Sequence, residues 1–245
     1  MSTFTSMKPA DADVVENETD SVGGSSGPLE SGAYPAKVEV AYVKKAASGA
    51  VGVVLLLKTS SGRELRTTEW VQSGDAKGNN NFYVDKRSGE KRYLPGFNTV
   101  NSLCLLTAGI ELYDVTTKTK LVDIYDFDLK KDIPTEVEVI TDIIGKDIIV
   151  GAIRQTVDKQ QKDDSGTYVN TGETRDENEI NKFFRASDKL TTAEIRAEST
   201  EPAFHNTWAE KWTGVTRNKA KGGAAAGPAG TVAASNAAPQ KSLFK

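Results

Sequence analysis

Residues 32–71 decide the fold. They read GAYPAKVEVAYVKKAASGAVGVVLLLKTSSGRELRTTEWV, and two glycine-containing turns divide them into three extended segments. In the first segment, Gly32–Lys45, apolar and polar residues alternate, which predicts a half-exposed strand. Lys37 and Glu39 lie on its polar face. The opposite face holds Tyr34, Ala36, Val38, Val40 and Tyr42.

The next two segments predict further strands of an antiparallel meander. Val51–Lys58 is almost entirely apolar, which is typical of a strand buried on both faces. Gly52 within it indicates a bulge or a sharp bend. Arg63–Val71 alternates again, with Leu65, Thr67 and Val71 on one face. The other face holds Arg66, Thr68 and Trp70.

A helix is predicted after a long polar loop, Ser73–Gly96. We expect it to begin with Asn98 or Thr99 as N-cap and to end at Gly109. Residues 110–133 fit either a strand or an inserted helix. The helical spacing is carried by Val100, Leu103, Cys104 and Thr107.

Two more strands complete the pattern. Thr135–Ile143 and Lys146–Val157 predict a hairpin that turns at Gly145. The resulting order, β-β-β-α-β-β, is that of the OB-fold, a partly open barrel used widely for oligonucleotides. The predicted fold is therefore mainly β, a five-stranded OB-type barrel with one helix between strands 3 and 4.

Composition divides the chain into four predicted segments. Residues 1–31 carry one lysine against six acidic residues, and residues 214–245 carry five basic residues and no acid in an Ala/Gly-rich tract. Both are too poor in core-forming residues to fold, so we expect disordered tails. Residues 32–158 would form the barrel and residues 159–213 a small α/coil C-terminal extension packed on it. The extension holds the amphipathic pieces Ile180–Arg185, Thr191–Glu198 and Ala203–Trp212, with Trp208 and Trp212 on one helix face.

Charge, cysteine content and hydropathy exclude several classes of protein. The formal net charge of −3 excludes a histone-like basic protein, although a basic groove can exist on an acidic body. Cys104 is the only cysteine, which excludes an internal disulfide and favours a reducing compartment. The sequence holds no apolar run of membrane-spanning length, and its acidic N-terminus does not resemble a signal peptide. These features predict a cytoplasmic protein without a membrane partner.

No pattern of catalytic or metal-binding residues stands out. One histidine, His205, and one cysteine cannot build a tetrahedral zinc site. Gly145-Lys146 lacks the first glycine and the Ser/Thr of a P-loop. An acidic run has no EF-hand spacing and is typical of a solvated loop. We therefore expect no enzyme activity, no cofactor and no metal. The acidic run comprises Asp158, Asp163, Asp164, Glu173, Asp176, Glu177 and Glu179.

The segment Gly74–Gly96 carries the residue types that single-stranded nucleic acid requires. Cations follow the phosphates, and flat side chains stack on the bases at about 1–3 kcal/mol per base. Loops of this length are usually functional or disordered. The aromatic residues Phe82 and Tyr83 are the predicted stacking groups. The predicted phosphate contacts are Lys77, Lys86, Arg87, Lys91 and Arg92.

Trp70 and Arg66 extend this predicted DNA-binding set to the third strand. Both face outward, and an exposed Trp beside an Arg is a natural stacking platform. Two alternatives remain open at this point. The loop could be a solvated hairpin whose aromatic rings pack inward, as we expect of Tyr93, and the C-terminal extension could cover Trp70.

Five stretches resemble a group of bacteriophage single-stranded DNA-binding proteins that act in replication. The resemblance implies an OB-fold, sequence-independent coating of single strands during replication or recombination, and contact with replication enzymes such as DNA polymerase. Many such proteins end in an acidic tail closed by Phe, whereas this chain ends in the basic sequence QKSLFK. The stretches are GAYPAKVEVAYVKKAASGAVGVVLLLKT, ELRTTEWVQSGDAKGNNNFYVDKRSGEKRYLPGFNTVNSLCLLTAG, PTEVEVITDIIGKDIIVGAIRQTVDK, GETRDENEINKFF and WAEKWTG.

Three function classes follow from the sequence. The first is a single-stranded DNA-binding protein. The second is a phage protein-interaction or inhibitory module that binds a replisome or host protein, which an acidic folded region favours. The third is a virion or assembly component, which the Ala/Gly-rich tail suits. The oligomeric state does not follow from the sequence.

Overall fold

The computed structural model describes residues 27–126, 129–164 and 166–221. Nearly half of them belong to an eight-stranded sheet, and a separate two-stranded hairpin and three helices complete the regular structure. The sheet strands are β1 (Gly32–Lys45), β2 (Val51–Thr59), β3 (Glu64–Gln72), β6 (Thr117–Asp126), β7 (Lys131–Ile140), β8 (Asp147–Lys162), β9 (Tyr168–Arg185) and β10 (Arg217–Asn218). The hairpin is β4 (Phe82–Val84) with β5 (Lys91–Tyr93), and the helices are α1 (Pro95–Ala108), α2 (Thr192–Arg196) and α3 (Ala203–Trp212).

The first strand, β1, is the centre of the sheet. One edge of β1 pairs antiparallel with β2, which in turn pairs with β3, so the predicted meander is confirmed. The other edge is shared: the first half pairs with β8, and the second half meets β7 at Tyr42 and Val139. β8 pairs with β9 over almost its whole length and with the short β10.

The predicted five-stranded OB-type barrel is wrong. In the described part of the chain, the eight strands form a sheet that does not close into a barrel. The predicted hairpin of Thr135–Ile143 with Lys146–Val157 is wrong as well. These segments correspond to β7 and β8, and β7 pairs with β6 and β1, whereas β8 pairs with β1, β9 and β10. The polar residues 158–162 of β8 pair with residues 168–174 of β9, and the hydrophobic pattern gives no indication of this pairing.

A β-bulge in β1 changes which residues face the core. The register shifts between Val38, which pairs with Leu57, and Val40, which pairs with Leu56. The extra residue, Glu39, reverses the alternation, so Val38 and Ala41 share the main core, whereas Val40 and Tyr42 lie on the opposite face. The prediction of a single apolar face from Tyr34 to Tyr42 is therefore wrong after Val38.

The helix α1 covers the inner face of the meander. Its residues Val100, Leu103 and Cys104 are fully buried, and it ends at Gly109 with φ +71°, both as predicted. The predicted start is wrong, because Leu94 is the N-cap and Pro95 occupies the first turn. A second register shift lies between Val51 and Gly52, but its extra residue is Val71 of β3, so the bulge predicted in β2 lies in the partner strand.

The C-terminal helix α3 packs against β8 and β9, whereas Ile195 of α2 packs against the main core. Trp208 is buried with Phe184, and Trp212 packs against the same cluster, so the two indoles share a helix face as predicted. Helix α2 begins with a capping box in which Thr191 and Glu194 exchange hydrogen bonds. Ile180–Arg185 is the end of β9.

Ordered contacts extend beyond residues 32–213 at both ends. Leu29 exchanges two backbone hydrogen bonds of 2.8 Å with the side chain of Asn178. The amide of Gly214 donates to the carbonyl of Ser31, and Arg217 lies 2.6 Å from Glu179. Residues 1–26 and 222–245, to which most of the two predicted tails belong, lie outside the described residues.

Candidate nucleic-acid interface

Trp70 lies on the outer face of β3, above a glycine of the neighbouring strand. Trp70 pairs with Gly52, and a Cβ atom on Gly52 would lie 3.1 Å from Cε3 and 3.3 Å from Cζ3 of the indole. The ring is therefore supported on one side, yet 42% of the residue remains exposed. Arg66 and Thr68 are exposed on the same face, as the alternation predicts. A supported, exposed indole is a platform on which a base can stack.

The segment after Trp70 is folded and is not a structureless loop. A turn of 3-10 helix, Asp75–Lys77, is anchored by a 2.8 Å hydrogen bond from the amide of Asp75 to the carbonyl of Ser48. Ser73 and Asn80 then close the turn with backbone and side-chain hydrogen bonds. The hairpin β4–β5 follows, so its position beside Trp70 is determined by hydrogen bonds on both sides of the turn.

A groove of about 820 Å³ opens between β3, the 3-10 turn and β4. Four of the nine predicted DNA-binding residues line it: Trp70, Lys77, Phe82 and Tyr83. Phe82 is half-buried, whereas Tyr83 is 44% exposed. The groove thus brings three aromatic side chains and a lysine together, which is the combination that single-strand binding requires.

Four further predicted cations lie on the hairpin. Lys91 places its ammonium 4.7 Å from the centre of the Phe82 ring, beside the groove. Lys86 and Arg87 are exposed in the hairpin turn. Arg92 pairs with Asp85 at 3.6 Å and with Glu90 at 3.4 Å, so part of its charge is neutralised within the hairpin.

The ninth predicted residue, Arg66, lines a different groove. Its guanidinium donates to the hydroxyl of Tyr42 at 3.2 Å, and neither Arg66 nor Tyr42 lines the groove at Trp70. Tyr93, expected to pack inward, stacks on Phe97 with the ring centres 4.7 Å apart while half of it remains exposed.

One acidic residue, Glu69, lines the groove next to Trp70, although its carboxylate bonds to Thr67 on the opposite face of β3. Glu69 is half-buried, and burial raises the pKa of its carboxyl, with a further contribution from Glu179. The hydroxyl of Thr67 donates a 3.0 Å hydrogen bond to Glu69, and this bond lowers the pKa of the carboxyl. This charge weakens the attraction of the groove for phosphate, and the hairpin cations oppose it.

Two positions outside the predicted DNA-binding set contribute to this face. Gly52 creates the space that the Trp70 ring fills. Lys44 pairs with Gly52, which pairs with Trp70, so Lys44 and Trp70 stand on one face on either side of a position without a side chain. A glycine opposite a tryptophan is a usable signal, but it requires the register, which depends on the bulges.

Several of the groups considered for catalysis are buried or lie in ion pairs. Burial raises the pKa of the Cys104 thiol to about 12, so the reactive thiolate is absent at neutral pH. Members of the acidic run pair with cations of the β8–β9 hairpin and its neighbours, among them Asp176 with Arg154 at 2.7 Å and Glu173 with Lys159 at 2.7 Å. Within the described ranges, no three His, Cys, Asp or Glu side chains are grouped to hold a metal ion.

Comparison with protein-family models and with curated proteins found no match to this chain. Among the helices of the described ranges, none combines the length and the apolar composition needed to cross a membrane.

Proposed function

We propose that this protein binds single-stranded DNA without sequence preference and that its groove between β3 and β4 holds the strand. The observation that carries the proposal is the Trp70 indole, supported on Gly52 and open to a groove that also holds Phe82, Tyr83 and Lys77. Every base has a face that can stack, so a groove of aromatic rings and cations binds without reading sequence.

The proposed biological role follows the resemblance to bacteriophage single-stranded DNA-binding proteins. The protein would coat single strands during replication or recombination in the cytoplasm of an infected bacterium, without catalysing a reaction. Replication enzymes such as DNA polymerase are the proposed protein partners. None of these roles depends on a closed barrel, because stacking and phosphate contacts require only an accessible face.

The test is a titration of fluorescent oligo(dT) and of a matched duplex at two salt concentrations. We expect tighter binding to the single strand and affinity that falls as salt rises. Trp70→Ala should cost about 1–3 kcal/mol at either salt concentration. Lys77→Ala should instead lower the slope of log affinity against log salt by about one unit.

Thermal melting of each variant controls for loss of fold. Equal or better binding to duplex would refute the proposal. An absence of DNA binding at low salt would favour the interaction module that the acidic folded region suggests.

A further inference from the structure

A second groove of about 730 Å³ adjoins the groove at Trp70. Its floor is the outer face of β1, β2 and β3, and its wall is the β6–β7 hairpin, which pairs with β1 only at Tyr42 and Val139. Among the residues that line it are Lys44, Lys45, Arg66, Thr68 and Tyr125.

The two grooves meet at one residue. Thr68 lines both of them. Along β3, Arg66, Thr68 and Trp70 alternate on one face at steps of about 7 Å, so the path from one groove to the other is short. Across the sheet, Tyr42 pairs with Val54 and Val54 with Thr68, which extends the same face onto β1. The bulge at Glu39 is what turns Tyr42 and Lys44 to this side.

Charge is distributed unevenly across the second groove. Lys44, Lys45 and Arg66 are exposed on the sheet side. On the other side, Val137 of β7 packs with Tyr42 and Val54, and its exposed neighbours Glu136 and Glu138 line the groove as well. A phosphate backbone is therefore attracted to the sheet side and repelled from the β7 side. Tyr125, 41% exposed on β6, offers a ring to the bases on the wall.

We infer that a bound single strand continues from Trp70 across Thr68 into this second groove, where its phosphates lie along Lys44, Lys45 and Arg66 and a base stacks on Tyr125. This inference rests on the proposed function and extends it: one protein molecule would hold two segments of the same strand. Arg66, predicted from the sequence as part of the first groove, would serve the second.

Oligonucleotide length separates the two grooves experimentally. Binding of oligo(dT) of about 4 nucleotides and of about 16 nucleotides should be measured for the full chain. We expect Tyr125→Ala to weaken binding of the long oligonucleotide about 5- to 150-fold and to leave the short one unaffected. Lys45→Ala should lower the salt slope by about one unit for the long oligonucleotide only.

Matched controls lie outside both grooves. Tyr168→Ala removes a tyrosine that is 63% exposed at the end of the β8–β9 hairpin, and Lys146→Ala removes an exposed lysine in the turn before β8. Both should bind either length like the parent. A variant that unfolds would lose the short oligonucleotide as well, so binding of the short length checks the fold along with the thermal melt.

The outcomes distinguish the inference from the proposed function. If Trp70→Ala weakens both lengths while Tyr125→Ala and Lys45→Ala weaken neither, the second groove is not used and the first stands. If Tyr125→Ala melts normally but weakens both lengths equally, the assignment of two separate segments is wrong. If Trp70→Ala binds both lengths like the parent, the proposed function fails, and the inference fails with it.

Discussion

At the scale of single residues, Gly52 is the position that decides how Trp70 presents its ring. The backbone of Gly52 is not in the left-handed region, so alanine is conformationally allowed there. Its methyl group would lie 3.1 Å from the indole and 3.2 Å from Cγ2 of Thr68, closer than ordinary contact distances. The ring would have to tilt away from the strand.

We therefore expect Gly52→Ala to weaken oligo(dT) binding several-fold while leaving the thermal melt close to that of the parent. A double-mutant cycle with Trp70→Ala provides the control, because a residue that acts only through the ring adds nothing once the ring is gone. Additive losses would show that Gly52 affects binding by another route.

A second prediction concerns the pH dependence of stability and rests on Glu69. Its carboxyl has a pKa raised above the ordinary value of 4.5, mainly by burial, so the folded state binds this proton more tightly than the unfolded state. The free energy of unfolding should then fall as pH rises from 4.5 through the raised pKa. Glu69→Gln removes this loss and also removes a negative charge beside the groove.

We expect Glu69→Gln to be more stable than the parent above this interval and similar to it below, measured by urea denaturation across the pH range. It should also bind oligo(dT) more tightly at low salt. Glu64→Gln, an exposed position on the same strand, is the matched control. Equal stability of Glu69→Gln and the parent at all pH values would contradict the assignment.

At the scale of elements, the β4–β5 hairpin carries cations without contributing to the core. None of the residues from Tyr83 to Arg92 is buried, and Phe82 pairs with Tyr93 at the base. Replacing Tyr83–Arg92 by Asn-Gly, a two-residue hairpin turn, should therefore leave the melting temperature nearly unchanged. It should lower the salt slope by up to about four units, one for each hairpin cation that contacts a phosphate.

The matched variant for this replacement is Lys130→Gln with Lys131→Gln, at the turn of the β6–β7 hairpin. Neither residue lines the groove at Trp70. The phosphate contacts would instead lie on the β6–β7 hairpin if the salt slope is unchanged in the protein with the shortened β4–β5 hairpin and reduced in the Lys130 and Lys131 variant.

The bulge at Glu39 shows why one part of the fold followed from the sequence and another did not. Alternation correctly assigned the faces of β3, since the whole strand from Glu64 to Trp70 pairs without a shift. On β1, one extra residue reversed the alternation, and no residue type marks Glu39 as that position. Alternation predicts which side chains share a face of a strand only as far as the register is regular. A bulge that contains no glycine reverses the faces and leaves no mark in the sequence.

At the scale of the whole molecule, the acidic N-terminal segment is a candidate competitor for the groove. Residues 1–26 carry one lysine against five acidic residues, and they are tethered to the domain at high effective concentration. Removing residues 1–26 should tighten oligo(dT) binding, most of all at low salt, where charge interactions are least screened.

The truncation should begin at Gly27 because Leu29 and Ser31 make ordered contacts. Ser31 is buried, and its hydroxyl accepts a 2.8 Å hydrogen bond from the amide of Arg154. A full-length variant with the five acids changed to their amides separates charge from length. Unchanged affinity at low salt in both proteins would count against competition.

The global topology was the least predictable level. Short segments such as β2, α1 and α3 follow from hydrophobic patterns, because each buries an apolar face of its own. The β8–β9 hairpin does not: beyond Val157 it is held by cross-strand polar pairs such as Gln160 with Asn170 and Lys159 with Glu173. The candidate site was predictable in its residue types, but the division of its residues between two grooves depends on the register of the sheet.

The three tryptophans have different surroundings, which gives the protein an optical signal of its own. Trp208 is 4% exposed and donates its indole N–H to Asn181, and Trp212 packs beside it on α3. Both belong to the cluster on β8 and β9, whereas Trp70 alone lines the groove. A base that stacks on Trp70 changes the emission of one indole against a constant background from the other two. Unlabelled DNA can therefore be titrated by intrinsic fluorescence, with the reporter located at the point of contact.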